Sequence, residues 1–240
     1  MFETYNDPRT RFDLDDTSIY RGLAFTEIDY SAKIIKRTFA ENGSNKWDRP
    51  HNFSLESLQF YYEKERDMLQ YLNGVGYENA PELIEFDDSS RTVVTRYYGE
   101  TLRVKARLML STTAAVSSNP LINFPEVRDK IIDAFRKQKE LGIIKYNFHP
   151  VNLVICEDTG KLISFDWKAS ETPGTPLDQA QSFLDTNPNI NRPIAPAAME
   201  FLAAHADLIK NVGDLERLTI RSHWTEFDPA LADELIAFIK

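Results

Sequence analysis

The stretch from Leu141 to Trp167 constrains this chain more than any other. A helical pattern closes at Leu141-Gly142, and a polar loop follows, Lys145-Tyr146-Asn147-Phe148-His149-Pro150-Val151-Asn152. Two short apolar runs come next, Leu153–Ile155 and Lys161–Phe165, folded about Asp158-Thr159-Gly160, which is a turn signal of the hairpin kind. Asp166 stands just past the second run. A helix end, a polar loop, a hairpin and a strand-end carboxylate therefore succeed one another within fewer than thirty residues. That order gathers amide, imidazole and carboxylate groups on loops carried by a small rigid element.

The segments on either side indicate a mixed chain. Ser31–Phe39 carries a β-rich run, and the polar stretch from Glu41 to Asn52 reads as a loop with its turn at Asn42-Gly43. Ser54 is placed to cap a helix reaching Leu72 and closed by Asn73-Gly74. Leu58, Tyr62, Leu69 and Leu72 mark its buried stripe, and Glu65 falls on that same stripe. A carboxylate there needs a partner, because burying it unpaired is costly. Pro81–Phe86 and Arg91–Tyr97 read as two strands joined by Asp87-Asp88-Ser89-Ser90. Beyond Gly99 the pattern turns helical. Helices are expected over Thr101–Leu110 and Pro125–Leu141, with a Ser/Thr/Asn-rich loop between them. From Ala197 the chain is helical again, broken near Asn211-Val212-Gly213 and Asp228-Pro229. The expected class is α+β.

Taken together, these stretches resemble the protein-kinase-like superfamily. The nearest likeness is to its aminoglycoside and choline phosphotransferase and lipopolysaccharide-core kinase branch. The loop of that branch reads His-Gly-Asp-x-His-x-x-Asn; Asn147-x-His149-x-x-Asn152 matches it from the third position, with Asn in place of Asp, and Lys145-Tyr146 replaces His-Gly. Asp166-Trp167-Lys168 stands where the family has its metal-binding Asp-Phe-Gly or Asp-Trp segment. The resemblance implies a bilobal fold: a small β-rich lobe with one main helix over residues 1–98, and a mainly helical lobe over 99–240. It implies ATP and magnesium as cofactors, the metal being held by the hard oxygens of Asn152 and Asp166, with Ser164 as the alternative register. It pairs Glu65 with a strand lysine that grips phosphates, Lys36 or alternatively Lys33. It also places the backbone around Tyr97, in the hinge strand, against the adenine.

One position departs from the pattern in a way that bears on chemistry. Asn147 is neutral, so it can orient a hydroxyl but cannot serve as an effective base. His149 has the right intrinsic pKa to take up a proton instead; the alternative is a structural member of the loop. Asp16–Asp29 holds Gly22 alone, with no Gly-rich phosphate loop. Two functions are consistent with these residues. One is an ATP-dependent phosphotransferase acting on a small-molecule or protein hydroxyl. The other is a pseudokinase, a nucleotide-binding or protein-binding regulator that transfers nothing. The net charge of −9 argues against nonspecific nucleic-acid binding. A single cysteine, Cys156, cannot form an internal disulfide, the N-terminus is polar and acidic, and no apolar run approaches the ~20 residues of a membrane span. A cytoplasmic location with no membrane partner is the expectation.

Overall fold

The computed structural model describes residues 3–4, 24–40, 55–99, 102, 125–175, 208–225 and 228–239. Its first part is one antiparallel sheet: β1 (Glu3–Thr4), β2 (Ala24–Asp29), β3 (Ile34–Phe39), β4 (Leu83–Asp87) and β5 (Thr92–Arg96), in the spatial order β1-β2-β3-β5-β4. Helix α1 (Leu55–Gly74) is inserted between β3 and β4. The β2–β3 hairpin turns on Asp29, whose carboxylate accepts from the Ser31 and Ala32 amides and the Ser31 hydroxyl. The β4–β5 turn uses Asp87 in the same way, accepting from the Ser89 amide and hydroxyl and the Ser90 hydroxyl. Local side-chain bonds of this kind are why Asp and Ser mark turns in sequence.

The second part is mainly helical. It comprises α2 (Pro125–Glu140), the short ladder of β6 (Ile144–Lys145) with β9 (Ser170–Glu171), the hairpin of β7 (Leu153–Ile155) with β8 (Leu162–Ser164), and helices α3 (Val212–Trp224) and α4 (Pro229–Ala237). Asn211 caps α3 by accepting from the Asp214 amide, and Asp228 caps α4 by accepting from the Leu231 amide, with Pro229 in the first turn. The breaks foreseen at Asn211–Gly213 and Asp228-Pro229 are thus helix starts. The α+β class expected from the sequence is observed, with one helix set into an antiparallel sheet followed by helices and a hairpin. The expected loop over 41–52 lies outside the described residues, as do residues 197–207 of the C-terminal helical pattern. So, apart from Leu102, do the helix over 101–110 and the loop after it.

Boundaries differ from the sequence reading by a few residues, and one difference has a clear cause. Helix α1 passes through Asn73-Gly74 and reverses at Gly76, whose φ of 71° is the left-handed conformation that glycine tolerates. The Tyr77 amide then reaches back to the Leu72 carbonyl at 2.9 Å. Asn73 does not end the helix; its side chain donates to the Leu69 and Pro81 carbonyls and accepts from the Leu83 amide, tying the helix end to β4.

The segment after α1 joins the two parts. Asn79 donates to the Leu162 carbonyl at 2.7 Å and its own carbonyl accepts from the Ser164 amide, while the Tyr77 hydroxyl donates to the Ala134 carbonyl. One core forms where Leu58, Tyr62, Leu69 and Leu72 of α1 meet Phe39, Tyr146, Trp167 and Leu215. A second holds Ile131, Ala134 and Phe135 of α2 against Phe148, Leu153, Leu162, Ile220, Trp224 and Leu235. Phe148, from the polar loop, is fully buried in it, its ring centroid 4.9 Å from that of Phe135. Phe135→Ala is therefore expected to destabilise the protein by about 3–5 kcal/mol in urea unfolding. Ile84→Ala, at a half-exposed position of β4, is expected to change stability by no more than about 0.5 kcal/mol.

Candidate functional site

The polar loop is anchored before it begins. Pairing of β6 with β9 fixes Ile144-Lys145, and the Lys145 amide donates to Glu216 of α3, itself buried and held by Lys139 of α2. The Lys145 side chain is fully buried. Its ammonium donates to the Phe165 and Asp166 carbonyls at 2.6 and 2.8 Å and lies 4.0 Å from the Trp167 ring centroid. Burial pushes its pKa down to about 7, an effect that nearby Asp166 and Glu65 only partly offset. Asn147, also fully buried, donates from Nδ2 to the Asp166 carbonyl and to Asp166 Oδ2, both at 3.0 Å. Both partners are acceptors, so the amide nitrogen, not the oxygen, must face them. Asn147 Oδ1 is left buried without a protein hydrogen bond, and the Asn147 carbonyl accepts from Asn152 Nδ2.

Asp166 is the centre of this arrangement. It occupies the left-handed region (φ 62°, ψ 68°), which a short polar side chain can adopt, and its carbonyl is held there by Lys145 and Asn147. Its carboxylate accepts from Asn147 on one oxygen and from Arg37 Nη2, at 3.3 Å, and Lys168 Nζ on the other. Burial alone would raise its pKa, but Lys168, Arg37 and Lys145 outweigh that and hold it well below the usual carboxylate range. Glu65 completes the cluster. Its Oε1 accepts from Arg37 Nη1 at 2.8 Å and its Oε2 from the Lys168 amide at 2.7 Å. Arg37 thus bridges a helix carboxylate and a strand-end carboxylate, and the Trp167–Ala169 turn is fastened to α1.

Asn147, Asn152, Glu65 and Asp166 lie in one cluster, linked through Arg37 and the Asn147 contacts, and Asp166 rather than Ser164 belongs to it. Ser164 sits in β8 with its hydroxyl buried and no hydrogen-bond partner for it. The partner of Glu65 is corrected: it is Arg37, not Lys36 or Lys33. Consecutive strand residues face opposite sides. Phe39 packs on Tyr62 of α1, so Arg37, two residues earlier, shares that face. Lys36 faces away and pairs with Glu27 of β2 at 3.1 Å, whereas Lys33, in the β2–β3 turn, pairs with Asp158 of the β7–β8 turn at 2.5 Å. The phase set by Phe39 was the available signal for Arg37. Lys168 carried none, since its position depends on the turn after Asp166. The Tyr97 amide extends the β3–β5 ladder by donating to the Lys33 carbonyl at 2.8 Å, so that donor is not turned to a base, and the Tyr97 ring meets Tyr30 edge-on. His149 lies half-buried with its ring edge-on to His223 of α3, at 5.1 Å between centroids.

Magnesium does not fit this cluster. Both Asp166 oxygens are engaged by protein donors, and the other carboxylate in it, Glu65, is committed to Arg37 and the Lys168 amide, so no free carboxylate oxygen is offered to a dication. Among the described residues no group of three or more His, Cys, Asp or Glu side chains is arranged to hold a metal ion. No described helix is long and apolar enough to cross a membrane.

No protein-family profile and no curated protein matches this chain. Similar solved structures include the Rio2 kinase from Chaetomium thermophilum as its ADP/Mg2+-phosphoaspartate complex, at 15% identity and a TM-score of 0.41. A second structure of the same kinase is similar at 14% identity and a TM-score of 0.41. The alignments cover 90% of this chain and 66% and 68% of those chains, so this chain spans about two thirds of their length.

Two outcomes follow from the geometry. Glu65→Ala leaves Arg37 and a buried amide without their acceptor and is expected to cost about 3–5 kcal/mol in denaturant unfolding; a loss under about 1 kcal/mol would contradict the pairing. His223, buried against His149, has its pKa lowered from 6.5 to about 4 by burial. Between these values the unfolded chain binds more protons than the folded one, so this residue's contribution is complete above pH 6.5 and is lost as pH falls toward 4. Unfolding free energy should fall by up to about 1.4 kcal/mol per pH unit in that window from this group, and His223→Leu should flatten that slope.

Proposed function

We propose that this chain is a kinase-like domain that works as a regulator without phosphoryl transfer, the pseudokinase reading of its sequence. The observation that supports it best is the pair of contacts from Asn147 Nδ2 to Asp166. At the place where the family's carboxylate would accept a substrate proton, this chain has an amide, and that amide is spent on the residue that would otherwise bind metal. A neutral amide already donating to a carboxylate cannot take a proton from a hydroxyl. The enclosure of Asp166 by Arg37 and Lys168 works in the same direction, since phosphoryl transfer relies on metal-assisted charge neutralisation. The lobes are proposed to divide near residue 98, with the cluster between them, and the spacing of Asn147, His149 and Asn152 supports a likeness to the small-molecule phosphotransferase branch.

The reading makes an expectation that a simple loss of the base would not. Restoring the carboxylate with Asn147→Asp should leave Mg-ATP turnover at background, because the Lys168 ammonium still sits on Asp166. The double change Asn147→Asp, Lys168→Gly should raise turnover above either single variant, since general-base function is worth about 10²–10⁴-fold once a metal can bind. Magnesium-dependent ATP turnover or transfer by the unmodified protein, measured with radiolabelled ATP, would overturn the reading.

A further inference from the structure

Lys33 stands in a conformation that lysine seldom takes. Its φ of 52° lies in the left-handed region, where glycine or asparagine is at ease and other side chains are not. Such strain persists where the surroundings hold it, and it points to a use for the side chain. Arg91, also at φ 52° and in the β4–β5 turn, spends its side chain inside its own sheet, on the Phe39 carbonyl. Lys33 instead reaches out of its sheet: its ammonium donates to Asp158 Oδ2 at 2.5 Å, in the β7–β8 turn 125 residues along the chain. Its carbonyl meanwhile accepts from the Tyr97 amide at 2.8 Å. The same β7–β8 turn also meets the chain just after Tyr97, where Glu157 lies beside Gly99, whose φ of 114° suits glycine. One residue therefore joins β3, the segment leading out of the sheet and a turn of the second part.

β3 is thus fastened to the second part at two points of opposite character. Arg37 makes the buried tie, to Asp166 at 3.3 Å. Lys33 makes the exposed one, about 13 Å away along the strand, with the two side chains 49% and 62% exposed. We propose that these ties work as pivot and latch: the Arg37 bridge is the fixed point, and the Lys33–Asp158 pair is a releasable latch that sets how far the sheet swings from the second part beside Tyr97. Salt screens a buried pair little and an exposed pair strongly, so the two ties respond differently to the same solution. An exposed pair favours its closed state by only up to about fivefold, and release therefore needs no unfolding. Three things open the latch: a cation that takes Asp158, an anion that takes Lys33, and raised ionic strength. The device does not depend on whether the domain transfers phosphate.

Spin labels on Ile84→Cys of β4 and Glu140→Cys of α2, both exposed positions, would report the separation of the two parts by double electron–electron resonance, with buried Cys156 left in place. At low salt one narrow distance is expected. In about 1 M NaCl, and in Asp158→Asn at low salt, a second distance should gain population by up to about fivefold. Swapping the charges, with Lys33→Glu and Asp158→Lys together, should restore the narrow distance. Lys33→Gly should behave as Asp158→Asn does, although glycine suits a φ of 52° better than lysine; a Lys33 that merely shapes its turn would leave the distance narrow. Glu78→Gln removes another exposed pair between the two parts, Lys161–Glu78 at 2.7 Å, and should change nothing, because Asn79 already holds that segment to β8 through the Leu162 carbonyl and the Ser164 amide. Circular dichroism would check that each variant is folded. Distances unchanged in Asp158→Asn and in high salt, a Lys33→Gly variant that stays narrow, a charge swap that restores nothing, or Glu78→Gln releasing the parts as fully as Asp158→Asn would each overturn the proposal.

Discussion

The contact on which most of this structure depends is the bridge from Arg37 to Glu65 and Asp166. Each of the three residues comes from a different element, and each side chain is largely removed from water. Charged groups lose several kilocalories per mole on burial unless a partner of the opposite sign is held in good geometry. The helix α1, the strand β3 and the turn after β8 therefore cannot be placed independently of one another. Displacing α1 or β3 breaks the Arg37–Glu65 pair, and displacing the turn after β8 removes a partner from both Arg37 and Glu65. The amide of Lys168 on Glu65 and the Tyr77–Trp167 ring contact reinforce the same junction from either side.

Function follows from how that junction is charged. A carboxylate at the end of a strand is a metal ligand only while its oxygens are free and its surroundings are negative or neutral. Lys168 changes both conditions, and Asn147 occupies the remaining oxygen with a donor. The buried Lys145 adds a third cation, although one whose charge burial makes marginal near neutral pH. The outcome is a site whose carboxylates are matched by protein cations and whose loop amides are spent on internal hydrogen bonds. Asn152 braces the loop by donating from Nδ2 to the Asn147 carbonyl.

Much of this was legible in the sequence because the signals were local or periodic. The hairpin about Asp158-Thr159-Gly160, the break at Asp228-Pro229, and Glu65 on the apolar stripe of α1 all announce themselves within a few residues. The need of Glu65 for a cation also followed from burial alone. Its identity did not, because choosing among Lys33, Lys36 and Arg37 requires the phase of β3, which the family likeness had set one residue away from the face that Phe39 defines. Lys168 was harder still. Its role arises from a left-handed residue at Asp166 that turns the next two residues back onto the cluster, and such a tertiary turn leaves no pattern in sequence. The pairing of the Tyr97 amide was not visible in sequence for a related reason: the ladder continues one residue past the end of β5.

The central claim is that Asp166 is paired with protein cations and does not ligate metal. Electron paramagnetic resonance of manganese, titrated into the protein with ATP present and compared with Asp166→Asn, tests it most directly. The account predicts that the protein and the variant give the same manganese signal, that of the free Mn-ATP complex. A protein-bound manganese species that disappears in the variant would show that Lys168 gives way to a metal, and would contradict it.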